Sequence, residues 1–185
     1  EFRRVLFRSV TTGLNHMMAV KSNGTVFTWG RNTEGQLGDG TTINKSSPVQ
    51  IGTSSWVFAD SSGNAMLAIT ADRALWAWGL NTGGQLGDGT TASRSSPVQI
   101  STSSWSQVSG GDSHSLAINS SGLMYGWGTV VPAADVSTAS NYLLPLSWSK
   151  MSSGQAFNLA LRSDGCIFAW GINNMGQLGQ SDTVH

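Results

Sequence analysis

The chain has 185 residues, with ten acidic and ten basic side chains, so its formal charge is zero. Charged residues make up 11% of it, against about 25% in an average soluble domain, and Gly (23), Trp (8), Ser and Thr fill the difference. That balance excludes a strongly basic nucleic-acid binder. The sequence also lacks an apolar run long enough for a membrane helix, and the single Cys166 cannot form an internal disulfide.

Residues 1–9, EFRRVLFRS, resemble the translated end of a sequencing-library adapter. They are set aside as an expected scar, which leaves 10–185 as one repeat domain that starts and stops within a repeat. Without the three Arg and one Glu of that segment the net charge is −2, and a basic patch for nucleic acid has no support.

From Val10 the chain repeats itself. Trp-Gly pairs stand at Trp29-Gly30, Trp78-Gly79, Trp127-Gly128 and Trp170-Gly171, with spacings of 49, 49 and 43 residues. Trp29–Trp56 and Trp78–Trp105 agree at 22 of 28 positions. A second Trp precedes each later pair by 22 residues, at Trp56, Trp105 and Trp148. Periods of 20–50 residues indicate a solenoid, a propeller or an array.

Each unit opens on a short apolar run: HMMAV, AMLAI, HSLAI and FNLAL, with Ala19, Ala68, Ala117 and Ala160 in register. Such a run reads as a strand buried on both faces, and the Ala admits a neighbouring backbone. SNG, SSG and SDG then suit tight hairpins, whereas the second unit has ADR. Next come Phe27-Thr-Trp29, Trp76-Ala-Trp78, Tyr125-Gly-Trp127 and Phe168-Ala-Trp170, two aromatics on one face of a strand. SPVQI and WSQVS add two further strands, with Pro expected at a strand start. The expected class is all-β: four short antiparallel strands per unit, the make-up of a propeller blade.

The pattern that carries these strands is specific. Gly13, His16, Ala19, Asn23, Gly24, Phe27, Trp29, Gly30, Asn32, Gly35, Gln36, Leu37 and Gly38 together resemble the regulator-of-chromosome-condensation repeat. The resemblance implies a seven-bladed β-propeller. Seven units of about 49 residues need about 340, so this chain is expected to form an incomplete propeller of three to four blades. With unpaired terminal edges it is expected to self-associate. Trp29, Gly30, Gln36, Leu37 and Gly38 are read as packing residues. So are their counterparts Trp78, Gly79, Gln85, Leu86, Gly87, Trp127, Gly128, Trp170, Gly171, Gln177, Leu178 and Gly179. The third unit departs from the pattern: after Gly128 its loop is six residues short and lacks N-x-x-GQLG.

No residue set supports catalysis, a cofactor or a metal. GQLGDGTT lacks the Lys of a phosphate loop, and its glycines recur every 49 residues rather than every nine as in a calcium β-helix. The expectation is that Leu37 and Leu86 plug blade boundaries while Asp39 and Asp88 cap turns. His16 and His114 share a position with Ala65 and Phe157, which suits filling space or tying down backbone. Cys166 aligns with Leu123 and is expected as a small buried hydrophobe. RSDGCIFAW only approximates a sialidase box, and Glu34 is the one Glu outside the adapter-like segment, with no Tyr beside it. The sequons at Asn23, Asn44 and Asn119 are expected by chance in so Ser/Thr-rich a chain.

The leading reading is a non-enzymatic scaffold that presents loops to a protein or glycan partner. The resembled family includes a chromatin-bound exchange factor for a small nuclear GTPase and secreted bacterial propellers, so guanine-nucleotide exchange is the alternative and a sialidase-type enzyme the third. Differences between the two closest units fall at Arg31/Leu80, Glu34/Gly83 and Ile43-Asn44-Lys45/Ala92-Ser93-Arg94. Function is carried on loops, so Arg31, Glu34, Lys45 and Arg94, with Asp135 and Asn141 of the rewritten Thr129–Asn141 segment, are expected to share one face as the recognition surface.

Overall fold

The computed structural model describes residues 6–53, 55–129, 136–141 and 147–179. The first unit holds β1 (Phe7–Thr12), β2 (His16–Lys21), β3 (Val26–Gly30) and β4 (Lys45–Ile51). The second holds β5 (Trp56–Ser62), β6 (Ala65–Thr70), β7 (Leu75–Gly79) and β8 (Arg94–Ser101). The third holds β9 (Trp105–Gly110), β10 (His114–Asn119), β11 (Met124–Gly128) and β12 (Val136–Asn141). β13 (Trp148–Ser153), β14 (Phe157–Arg162) and β15 (Ile167–Gly171) form the fourth. Every unit is an antiparallel meander in chain order, and the fourth has three strands among the described residues. These are the blades of an incomplete β-propeller.

The repeated words set the ladders. Ala19, Ala68, Ala117 and Ala160 are all buried, in the second strand of their units, paired with Phe27, Trp76, Tyr125 and Phe168. Within each later unit the first-strand Trp meets that aromatic edge to face: Trp56–Trp76 at 6.1 Å, Trp105–Tyr125 at 5.1 Å and Trp148–Phe168 at 5.3 Å. Pro48 and Pro97 are not at strand starts. They sit inside the fourth strands, where the ladder skips between Thr28–Val49 and Gly30–Lys45 and between Ala77–Val98 and Gly79–Arg94, so their missing N–H is tolerated.

The adapter-like segment enters the first ladder. The register skips at Phe7/Ser9 as it does at Trp56/Phe58 and Trp148/Lys150, so Phe7 takes the backbone place of the repeat Trp. Its side chain stays 51% exposed. Arg8 also donates to the Ser22 carbonyl at 3.0 Å.

Strands β1, β5, β9 and β13 line the inner side, where each blade bonds to the next. Thr11 Oγ1 donates to Asp60 at 3.0 Å, Ser61 Oγ donates to the Thr12 carbonyl at 2.6 Å, and the Ser153 N–H donates to Ser109 Oγ at 2.9 Å. Farther out, the Trp of one unit seats on the GQLG loop of the unit before. Trp78 Nε1 donates to the Gln36 carbonyl at 3.0 Å and Trp127 Nε1 to the Gln85 carbonyl at 2.7 Å. Gly38 and Gly87 make room: a Cβ there would lie 2.7 Å and 2.8 Å from those indole nitrogens. Leu37 and Leu86 are fully buried, and Leu86 packs with Trp127 across the boundary.

The two buried histidines belong to the same joints. His16 Nε2 lies 2.9 Å from Met66 Sδ, and His114 Nε2 lies 2.7 Å from Asn158 Oδ1, each contact reaching into a later unit. Burial lowers the His16 pKa to about 4 and lowers that of His114. Both rings fold over Gly13 and Gly111, where any Cβ would collide with them. Cys166 departs from expectation. It is exposed, because it lies in the β14–β15 turn of the last unit, a side on which no described unit follows.

Candidate functional site

The long β3–β4 and β7–β8 loops lie at the end of the blades to which the turns after β1 and β5 also belong. Each is organised by one buried Asn that the sequence reading did not single out beyond its place in the motif. Asn32 Oδ1 accepts from the Leu37 N–H at 2.9 Å, and its amide donates to Asp39 Oδ1 and the Thr41 and Ile43 carbonyls at 3.0, 3.0 and 3.2 Å. Asn81 makes the same four bonds to Leu86, Asp88, Thr90 and Ala92 at 2.9, 3.1, 2.9 and 3.2 Å. The spacing was the available signal: an Asn five residues before each Leu of GQLG, in every unit that has the motif.

Asp39 and Asp88 cap turns, as expected, accepting from the main-chain and hydroxyl groups of Thr41 and Thr90. They also bind the loop bases: Lys45 Nζ lies 3.2 Å from Asp39, and Arg94 Nη2 lies 2.6 Å from Asp88. Burial pushes both carboxyls up, but the bonds from Thr, Lys45, Arg94 and Asn32 outweigh it and hold them below the usual range.

This geometry reassigns part of the variable block. Asn44 Oδ1 and Ser93 Oγ accept the same main-chain N–H, from Asn32 at 2.7 Å and from Asn81 at 3.2 Å. Lys45 and Arg94 likewise hold the same Asp. These differences keep a packing role rather than escape one. Arg31 and Glu34 are freer: they lie 3.9 Å apart, with side chains 42% and 35% exposed. The Gly35 loop beside them abuts the start of β8, where a Cβ would lie 2.8 Å from the Arg94 carbonyl. Asn141 does not join them: it lies in β12 paired with Tyr125, at the end of the blade away from Gly128 and its loop, because β12 runs antiparallel from Val136 opposite Gly128. Asp135 lies outside the described residues.

At the same end a polar depression of about 500 Å³ opens between the inner turns, lined by Gly13, Asp60, Gly63, Asp112 and Gly154 among others. Asp60 is engaged there with Thr11 and with the Gly110 N–H at 3.3 Å. Among the described residues no group of three or more His, Cys, Asp or Glu is placed to hold a metal, and no helix is long and apolar enough to cross a membrane.

Two sequence profiles of the regulator of chromosome condensation (RCC1) repeat match, one over residues 23–65 and 73–118, the other over 7–36 and 148–177. The chain belongs to the RCC1 repeat family. The matched stretches hold three of the four Trp-Gly pairs and both junction sockets described above. No curated protein matches the sequence. Among solved structures, human WBSCR16 superposes with a TM-score of 0.89 at 23% identity, over 98% of this chain and 51% of that one. Yeast RCC1 (Prp20), solved bound to Kap60, superposes at 0.84 and 21% identity, over 99% of this chain and 48% of the other. Prp20p of Saccharomyces cerevisiae, reported with its binding to Gsp1p and histones, superposes at 0.78 and 21% identity, over 98% and 49%. The chain thus spans about half the length of these structures, and at such identities the likeness is one of fold.

Proposed function

We propose that this chain is part of a non-catalytic interaction scaffold whose partner, a protein or a glycan, is met at the β3–β4 loop end. One observation carries the reading. The same Asn-centred frame is built twice, in loops that carry Arg31 and Glu34 in one copy and Leu80 and Gly83 in the other. A rigid frame with changeable exposed residues is how scaffolds vary recognition without altering the fold. Arg31, Glu34 and the outward part of Arg94 are the contact residues. Lys45 acts mainly by holding its loop.

Guanine-nucleotide exchange is the competing function, favoured by the likeness to a yeast protein reported to bind Gsp1p. Two experiments divide the readings. Release of labelled GDP from Gsp1p, followed by fluorescence, should be no faster with this chain than without it; acceleration would replace the scaffold reading by exchange. In affinity capture from cells of the source, proteins retained by the wild-type chain should be lost when Arg31, Glu34 and Arg94 are changed together to Ser. They should persist when Asn23, Asp72 and Asp164 of the opposite turns are changed. The reverse pattern would move the recognition surface to the other end.

A further inference from the structure

A groove of about 530 Å³ runs along β8, the outer strand of the second unit, on the side that faces the third. It lies between two units that each have described neighbours on both sides. Its floor is aromatic: Trp105 is buried, and the half-buried Tyr125 meets it edge to face at 5.1 Å. Val98 and Ile100 form one wall, with Ser101 at one end of β8 and Arg94, beside Asp88, at the other. At the first junction the corresponding loop is tied to the next outer strand, the Gly40 N–H donating to the Ser95 carbonyl at 2.8 Å. The third unit is rewritten at the counterpart of that strand, so the two junctions differ here in sequence.

The polar groups of the groove define what it can hold. Asp88 and Arg94 are the charged residues among its described lining, and they satisfy one another at 2.6 Å, with the Asp88 side chain 5% exposed. The groove therefore offers no net charge, and an ionic ligand would have to break that pair. Arg94 Nη1, the Gln99 amide and the Tyr125 hydroxyl make no hydrogen bond to another described residue. A wholly apolar ligand would bury these groups unsatisfied, at a cost of about 1–3 kcal/mol each. A sugar meets both demands. One face of a pyranose carries C–H groups that lie on an aromatic ring, and the hydroxyls at its edge both donate and accept. The volume falls in the range of small-molecule sites and admits a disaccharide.

We propose that this groove binds a neutral glycan, with one pyranose ring on Tyr125, its hydroxyls bonded to the Gln99 amide, and the next ring reaching Arg94. Asp88 serves the site by fixing the Arg94 guanidinium, whose Nη1 is left to donate to the sugar. The groove stands apart from the surface around Arg31 and Glu34 and shares Arg94 alone with it. Either reading can therefore fail without the other.

Saturation-transfer NMR of the full chain with cellobiose, maltose, lactose and diacetylchitobiose should show transfer to the ring C–H protons of at least one. Titration calorimetry with that sugar should give a Kd on the order of 1 mM. Tyr125→Ala should raise the Kd at least tenfold, whereas Tyr125→Phe, which keeps the ring, should raise it no more than about threefold. Gln99→Trp, at an exposed position of the outer strand, fills the groove and should abolish binding; it serves in place of Tyr125→Ala should that variant fail to fold. Arg31→Ser, outside the groove, should leave the Kd unchanged, and unchanged melting curves establish that each variant is folded. No transfer to any of the four sugars at about 10 mM would overturn the proposal. So would affinity that survives Gln99→Trp, or affinity lost in Arg31→Ser. Tighter binding of glucuronic acid or glucosamine disaccharides than of the neutral ones would overturn the neutral class.

Discussion

The indole N–H of Trp78 donates to the main-chain carbonyl of Gln36 at 3.0 Å, across the boundary between two blades and 42 residues along the chain. The Gln36 carbonyl is supplied by a loop whose shape depends on Asn32, and the Trp by a strand whose partner face it also fills. Sequence repetition and blade stacking are therefore one fact: each unit holds both halves of a joint.

Breaking that joint has two separable costs. Trp78→Phe keeps most of the apolar bulk but leaves the buried Gln36 carbonyl without its donor, a loss of about 1–3 kcal/mol. Trp78→Ala adds a cavity at a fully buried site, for about 3–5 kcal/mol in all. Trp170→Phe should cost less, because the third unit lacks the GQLG loop and Trp170 is only partly buried. Urea unfolding of the three variants gives the ranking directly.

Arg73 is held at a φ of 69°, the one non-glycine at positive φ among the described residues. Gly24, Gly122 and Gly165 occupy this hairpin position in the other units. The conformation is needed because the Arg73 carbonyl accepts from the Trp105 N–H at 3.0 Å, as the Gly24 carbonyl does from Trp56 at 2.9 Å. A side chain there costs about 1–2 kcal/mol, partly offset by the greater freedom Gly has when unfolded. Arg73→Gly should raise stability by about 1 kcal/mol in the same measurement.

Stability should fall with acid below neutrality. His16 has its pKa lowered to about 4 by burial, against 6.5 when unfolded, so the unfolded chain binds the extra proton first. The contribution is fully present above about pH 7 and is lost as pH falls from 6.5 to about 4, on the order of 3 kcal/mol. His114 adds in the same direction. The lowered carboxyls of Asp39 and Asp88 lose their contribution at lower pH, as it falls through their own pKa values. In the fourth unit Phe157 occupies the His position over Gly154. His16→Phe should therefore fold and should flatten the slope of unfolding free energy between pH 4 and 6.5.

The loop frame and its outer charges should respond differently. Asn81 is fully buried and satisfies four loop groups, so Asn81→Ala should cost more than 2 kcal/mol. Arg94→Ala removes a partly exposed ion pair and should cost about 1 kcal/mol or less. Paired denaturation curves check the difference. If Arg94 proved as costly as Asn81, it would belong to the frame and leave the recognition face.

Much of this was legible in the sequence. Four strands per unit follow from the apolar runs, the hairpin words and the paired aromatics, because strand burial acts locally. The GQLG residues could be read as packing residues because three units keep them unchanged. What they pack against could not be read, since the partner Trp lies in another unit. The variable block was harder still. Asn44 and Ser93 differ in size but both offer an oxygen to one N–H, and Lys45 and Arg94 both offer a cation to one carboxylate. Letters that differ can do the same work, which a comparison of letters records as freedom. Cys166 misled for the opposite reason: its counterpart Leu123 is half-buried in a unit that another follows, whereas no described unit follows that of the exposed Cys166.

The claim that each GQLG loop is the seat of the next blade's Trp is tested most directly by hydrogen exchange at the indole N–H groups, assigned through single Trp→Phe changes. Trp78 and Trp127, bonded to Gln36 and Gln85, should be protected close to the global stability of the chain. Trp170, which follows the unit without the loop, should exchange orders of magnitude faster. Equal and rapid exchange at Trp78, Trp127 and Trp170 would contradict the account.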